Sequence, residues 1–235
     1  MKKWFIGLVA GTWLFVAGCS SEVTDEVKEA SVLVQRDEAE EIDVEVVSPV
    51  GEMVISGGAE NWVEGTVASN IKNFEPQVKY KLRNQKADLS IEQPNFNGNR
   101  IGNIQNEWDL QLSDNIPMAL AVSTGAAKSS LDLRGLQLTK LEIDTGVGSL
   151  DVDLGGDWKE SFRVEIETGV GSTTVILPSE VGVKITYEKG LSKVQINDFI
   201  ATGDGSYVNE AYDSAEVILE VKADIGVGSV TFLLD

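Results

Sequence analysis

The segment Leu141–Leu154, LEIDTGVGSLDVDL, recurs along the chain: Val164–Leu177 reads VEIETGVGSTTVIL and Val221–Leu234 reads VKADIGVGSVTFLL, aligned without gaps. Apolar side chains alternate with polar ones on both sides of a Gly-Val-Gly corner, the pattern of two half-buried strands joined by a sharp bend. No other feature constrains the fold as tightly. A unit this short cannot bury its apolar face alone, so it must stack on copies of itself.

Five copies start at Leu120, Leu141, Val164, Val183 and Val221, separated by 21, 23, 19 and 38 residues. The stretch Ile42–Gly57 fits the same template more loosely, turning at Pro49–Gly51. This spacing predicts an all-β, single-domain β-solenoid over residues 42–235, a rack of stacked strands in coils of about 19–23 residues. Ile143, Ile166, Ile185 and Ala223 are expected to form one interior column, and Val152, Val175, Val194 and Phe232 another. The outward column is Glu142, Glu165, Lys184 and Lys222. Gly146, Gly148, Gly169, Gly171, Gly226 and Gly228 are read as structural turn glycines that permit positive φ. A phosphate-binding loop is the rival reading of these glycines, but no Lys-Ser/Thr pair and no helix pattern follows them. The 38-residue interval holds a turn-rich insertion, Asn197–Ala215. Residues 62–74 look irregular, with one helical turn at Ser69–Asn73. Val78–Leu82 and Leu89–Ile91 alternate about Asn84, and Pro94–Gly102 reads as a loop.

The N-terminus has a different character. Lys2 and Lys3 precede the apolar run Trp4–Gly18, too short for a spanning helix of about 20 residues and typical of a secretory signal. It ends in Val16-Ala17-Gly18-Cys19, which resembles the lipobox of bacterial lipoprotein precursors. The resemblance implies lipidation of Cys19, cleavage between Gly18 and Cys19, and residues 1–18 as signal peptide. Lipid on Cys19, palmitate included, would be the membrane partner, with the protein on the extracytoplasmic side of the cell membrane. Cys19 is the only cysteine, so no intramolecular disulfide competes for it. Ser20 follows it, so an Asp retention signal of the Gram-negative type is absent.

With 38 acidic against 19 basic residues the formal charge is −19, which excludes nucleic acid as a partner. The excess is concentrated in Glu22–Glu64. Residues 19–41 are therefore expected to be a disordered acidic tether, with an acidic docking arm or a loose cation collector as the sharper alternative.

From Ile42 to Asp235 the chain is similar to the bacterial toast-rack domain, also found in the C-terminal half of LiaF-like cell-envelope stress regulators. The residues that carry this are the TGVGS corners at 145–149 and 168–172, LPSEVGVKI at 177–185, GLSKVQI at 190–196 and the terminal GVGSVTFLL. VKYKLRNQKADLSIEQP and WDLQLSDNIPMALAV add to it. The resemblance implies a rack of short strands and a role outside the membrane in envelope monitoring or adhesion. It implies no catalytic residues and no cofactor. One lipidated cysteine replaces the several membrane helices of LiaF-like members.

The absence of histidine removes His-based acid–base work and the usual zinc sites. Carboxylates remain. Asp151 with Asp153, and Glu142 with Asp144 beside Glu165 and Glu167, have a spacing that an inverting glycosidase pair or a calcium ion could use. Asp151 and Asp153 would lie beside Thr174 and Ile176, and a solvated polar face is the simpler reading. Asp204-Gly205-Ser206 lacks EF-hand spacing and reads as a hairpin turn. Trp62, Trp108 and above all Trp158 could stack on sugars, or cover the ends of the core. The expectation is a non-enzymatic, lipid-anchored extracytoplasmic interaction module in cell-envelope stress sensing or signalling, with a membrane sensor protein or an envelope polymer as partner and without catalytic residues, metal or cofactor. The alternatives are an adhesin or structural surface lipoprotein and, third, a carboxylate-dependent glycan-cleaving enzyme.

Overall fold

The structure, a computed structural model, describes residues 23–94 and 103–235. The described chain contains no helix and is built of strands β1 (Val23–Val34), β2 (Glu41–Gly57), β3 (Val63–Ile71), β4 (Gln77–Arg83), β5 (Lys86–Glu92), β6 (Asn106–Leu112), β7 (Pro117–Asp132), β8 (Gln137–Asp153), β9 (Phe162–Leu177), β10 (Gly182–Ile196), β11 (Ile200–Ala201), β12 (Tyr207–Val208) and β13 (Ile218–Leu234). Six long strands stack in parallel in the order β2, β7, β8, β9, β13, β10.

Each long strand bends at its corner. Around the bend of β8 the buried positions are Leu141, Ile143 and Thr145 before it and Leu150 and Val152 beyond it, continued by Leu154 just past the strand. Inward parity therefore switches from odd to even, and both arms of the strand face one continuous core. At β2 the two arms part company. Its first half pairs with β5, which carries β4, and its second half pairs with β6, followed by β3 and β1. Side chains such as Val164, Val175 and Phe232 are fully buried, each contributing about 1.5–3 kcal/mol relative to exposure. The expected all-β rack is what the chain adopts.

Three details differ from the sequence reading. From Val23 onward the acidic segment is a strand, not a tether: β1 pairs antiparallel with β3 from Lys28↔Ser69 to Val34↔Val63. Ala30, Val32 and Val34 turn inward while the acidic side chains stay in water, so charge on one face did not prevent an edge strand from forming. Residues 1–22 and 95–102, with Cys19, the signal segment and most of the Pro94–Gly102 loop, lie outside the described residues. The expected helical turn at Ser69–Asn73 is instead the end of β3 and a turn.

The third correction concerns the rack's last coils. β13, not β10, follows β9, and β10 lies beyond it, shifted by two residues from the expected register. The interior columns are Ile143, Ile166, Ala223, Tyr187 and Val152, Val175, Phe232, Ile196. The outward column is Glu142, Glu165, Lys222, Thr186. The difference shows at the corners. A Cβ at Gly228 would sit 1.8 Å from the Gly171 carbonyl oxygen, so the strand that lies on β9 has glycine at that level. β10 carries Ser192 at that level, and its Gly190 matches the first corner glycine, Gly226, rather than the second.

Candidate functional site

The two glycines of each corner do different work. Gly148, Gly171 and Gly228 have φ of 145°, 152° and 137°, a region that L side chains avoid. Gly146, Gly169 and Gly226 do not, contrary to expectation. They are required because a Cβ would lie 2.4–2.6 Å from the carbonyl oxygen of the strand before. Between the two glycines the backbone turns one side chain outward. Val147, Val170, Val227 and Leu191 are in register on adjacent strands β8, β9, β13 and β10, and are 53%, 46%, 45% and 84% exposed. Ala126 and Val50 continue the line on β7 and β2.

Three residues before this ridge, on the first arm, Asp144, Glu167, Asp224 and Glu188 form a second column, all exposed. None of the four makes an ion pair or side-chain hydrogen bond with another described residue. On the other side run Ser149, Ser172 and Ser229, with Lys128 and Lys193 at the two ends. The corner is thus a strip with an acidic rail, an apolar ridge and a hydroxyl rail.

The carboxylates singled out from sequence are placed elsewhere or engaged. Asp151 and Asp153 pair in register with Thr174 and Ile176, as expected. Asp153 accepts from Gly155 N (2.9 Å) and lies 3.3 Å from Arg134 Nε, whose guanidinium also grips Asp132 at 2.8 and 2.6 Å. That grip, made first through hydrogen bonds, holds the Asp132 carboxyl below the usual range. Glu142 pairs with Lys140 at 2.6 Å and stands beside Glu165, with Asp144 beside Glu167. Among the described residues no group of three acidic or thiol side chains is arranged to hold a metal ion.

Asp204 accepts from the Thr202 hydroxyl (2.5 Å) and from the Ser206 hydroxyl (2.7 Å) and backbone N (3.0 Å). These bonds hold its carboxyl far below the ordinary range and close the β11–β12 hairpin on themselves. Asn209 then ties the insertion to the rack: its Nδ2 donates to Val181 O at 2.7 Å, and its Oδ1 accepts from Val183 N at 2.9 Å. The three tryptophans are core. Trp158 is 6% exposed, donates to Leu154 O at 2.7 Å and packs on Phe162 with ring centroids 4.7 Å apart. Trp62 and Trp108 are buried deeper, so none offers a face for sugar stacking.

Sequence reasoning missed the polar anchor at Asp37. It accepts from Trp62 Nε1 (3.1 Å), Ala39 N (3.1 Å) and the Tyr80 hydroxyl (2.6 Å). Desolvation raises its pKa, but the three donors together lower it below the ordinary value. Burial first, then the same bond and the adjacent negative charge, push the Tyr80 hydroxyl up to about 12. The alternation of β1, with Trp62 and Tyr80 downstream, offered no sign of this junction.

The sequence matches the family model for the N-terminal domain of toast_rack, DUF2154, over residues 23–176, more than half of the chain. This protein belongs to the toast-rack family. Its toast-rack fold superposes on the structure of a proposed cell adhesion protein from Clostridium sporogenes with a TM-score of 0.86 and 32% identity. That alignment covers 89% of this chain and 100% of the other. Proposed adhesins from Bacteroides fragilis (12% identity, TM-score 0.33, 90% and 99% coverage) and Parabacteroides merdae (13%, 0.30, 88% and 81%) superpose too poorly to bear on function. No curated protein matches significantly. The family match opens at the first residue of β1, so β1 is part of the toast-rack domain. No described helix is long and apolar enough to cross a membrane.

Proposed function

We propose that this toast-rack protein is a non-enzymatic interaction module, held on the extracytoplasmic side of the cell membrane by lipid on Cys19, that takes part in sensing envelope stress. The observation that carries the reading is the exposed corner strip. It is an exposed, regularly repeated surface on a scaffold whose candidate carboxylates are solvated or tied to cations and to backbone N–H groups. Family membership and the lipobox-like Val16-Ala17-Gly18-Cys19 support it. A membrane sensor protein or an envelope polymer is the partner class. Deleting the gene should change transcription of envelope-stress genes, and the purified protein should leave envelope glycans intact. Glycan cleavage that Asp151→Asn or Asp153→Asn abolishes would replace this reading with an enzymatic one.

The 32% identity over the full length of a proposed cell adhesion protein favours a second reading, a surface adhesin. It predicts loss of cell attachment on deletion, with an unchanged stress response.

A further inference from the structure

We infer that the corner strip is a docking surface for a basic amphipathic helix of a partner protein, the helix lying across β8, β9, β13 and β10. The inference rests on the proposed interaction role and names the surface and the chemistry that fits it. In β8, β9 and β13 close packing requires glycine on both sides of the corner but sets no such demand between them, since Val147, Val170 and Val227 point away from the core. Yet the three full corners place valine there, and β10 places leucine, 84% exposed. Threonine would serve an exposed strand position as well with less apolar surface in water. An ordered apolar row on a chain of net charge −19 marks a contact surface.

The neighbouring carboxylates define the partner. Asp144, Glu167 and Asp224 run beside Val147, Val170 and Val227 and form no ion pair with a described cation, Lys222 standing one rung further from the ridge. Lys189 and Lys193 flank Leu191 on β10 and Lys128 stands on β7, so the unbroken acidic stretch covers the middle strands. Adjacent strands are about 4.8 Å apart, close to the helical pitch of about 5.4 Å. A helix of about three turns laid along the ridge can seat one apolar side chain near each strand, with Lys or Arg at the adjoining helical positions above the acidic rail.

The test uses the purified full chain in detergent and a synthetic helix as probe, with Leu at i, i+3, i+4 and i+7 spacing and Lys flanking the stripe. Two control peptides carry Glu for Lys, or the same residues scrambled to lose the stripe. Binding is read by fluorescence anisotropy. The Lys helix is expected to bind, the controls to bind at least about tenfold more weakly, and Val170→Ser with Val227→Ser to weaken it about tenfold. Glu167→Gln with Asp224→Asn should weaken it and flatten its salt dependence, whereas Asp151→Asn, on the other arm, should change nothing. Each variant is checked by thermal unfolding. Equal binding of the scrambled peptide, binding unaffected by the valine changes, or a ridge buried by self-association on ultracentrifugation would overturn the inference. It can fail while the interaction role survives, because gene deletion reads that role independently.

Discussion

Gln93 and Asn106 form a reciprocal amide pair at the point where the two branches leave β2. Asn106 Nδ2 donates to Gln93 Oε1 at 2.8 Å and to Val50 O at 2.5 Å, and Gln93 Nε2 donates back to Asn106 Oδ1 at 3.1 Å. Both residues are buried, at 5% and 2% exposure. Where β5 stops and β6 starts, the sheet loses ladder partners, and this pair supplies donors and acceptors in their place. Asn106→Leu or Gln93→Leu should each cost about 2–4 kcal/mol, because each strands the other amide. The double variant should cost less than the sum. Urea unfolding of the four proteins measures this, and additive losses would remove the pair from the account.

The corner geometry predicts a ranking among glycines. Gly171→Ala combines φ of 152° with a Cβ 1.8 Å from the Gly148 carbonyl oxygen, so it should cost more than about 3 kcal/mol or abolish folding. Gly156→Ala has φ of 99° but nothing within 4 Å of the new Cβ, and should cost only about 1–2 kcal/mol of backbone strain. Equal melting temperatures for the two variants would mean that stacking does not set the corner.

The Asp37 junction gives stability a signature at both ends of the pH scale. The folded pKa of Asp37 is lowered from 3.8, so its contribution is complete above that value and is lost as pH falls through the folded pKa. Tyr80 is raised from 10.0 to about 12, so its contribution is complete below 10.0 and is lost as pH rises toward 12. Tyr80→Phe should flatten the alkaline limb, and Asp37→Asn should weaken the acid limb. Unfolding curves across pH with tyrosinate absorbance would expose a tyrosine that titrates normally.

The proposed anchor makes a separate demand. Cys19→Ser in the full chain should stop incorporation of a palmitate analogue and release the protein from the membrane fraction. Unchanged fractionation would mean that something other than lipid on Cys19 holds it there.

The repeated corner made the rack legible because its glycines are forced: no other residue fits between parallel strands at the Gly148 or Gly171 position. Four of the five aligned starts hold, with Leu120, Leu141, Val164 and Val221 in register. Val183 failed because β10 has one corner glycine where the template has two, and gap-free alignment assigned Gly190 to the wrong one. The β1 strand was hidden because six of its outward-facing or exposed positions from Thr24 to Glu29 carry no apolar signal beyond Val27. Gln93 and Asn106 sit in a stretch rich in Asn, Gly and Pro, where polarity reads as solvent exposure although tertiary packing buries them. The ridge was visible in principle: a valine fixed between two forced glycines has no role inside.

The most direct measurement is the envelope-stress transcription of cells whose only copy of the protein carries Val170→Ser and Val227→Ser, at wild-type surface level and melting temperature. The account predicts a response shifted in the same direction as gene deletion and to a similar extent. A wild-type response in these cells, alongside an altered one in the deletion strain, would contradict the corner as the working surface.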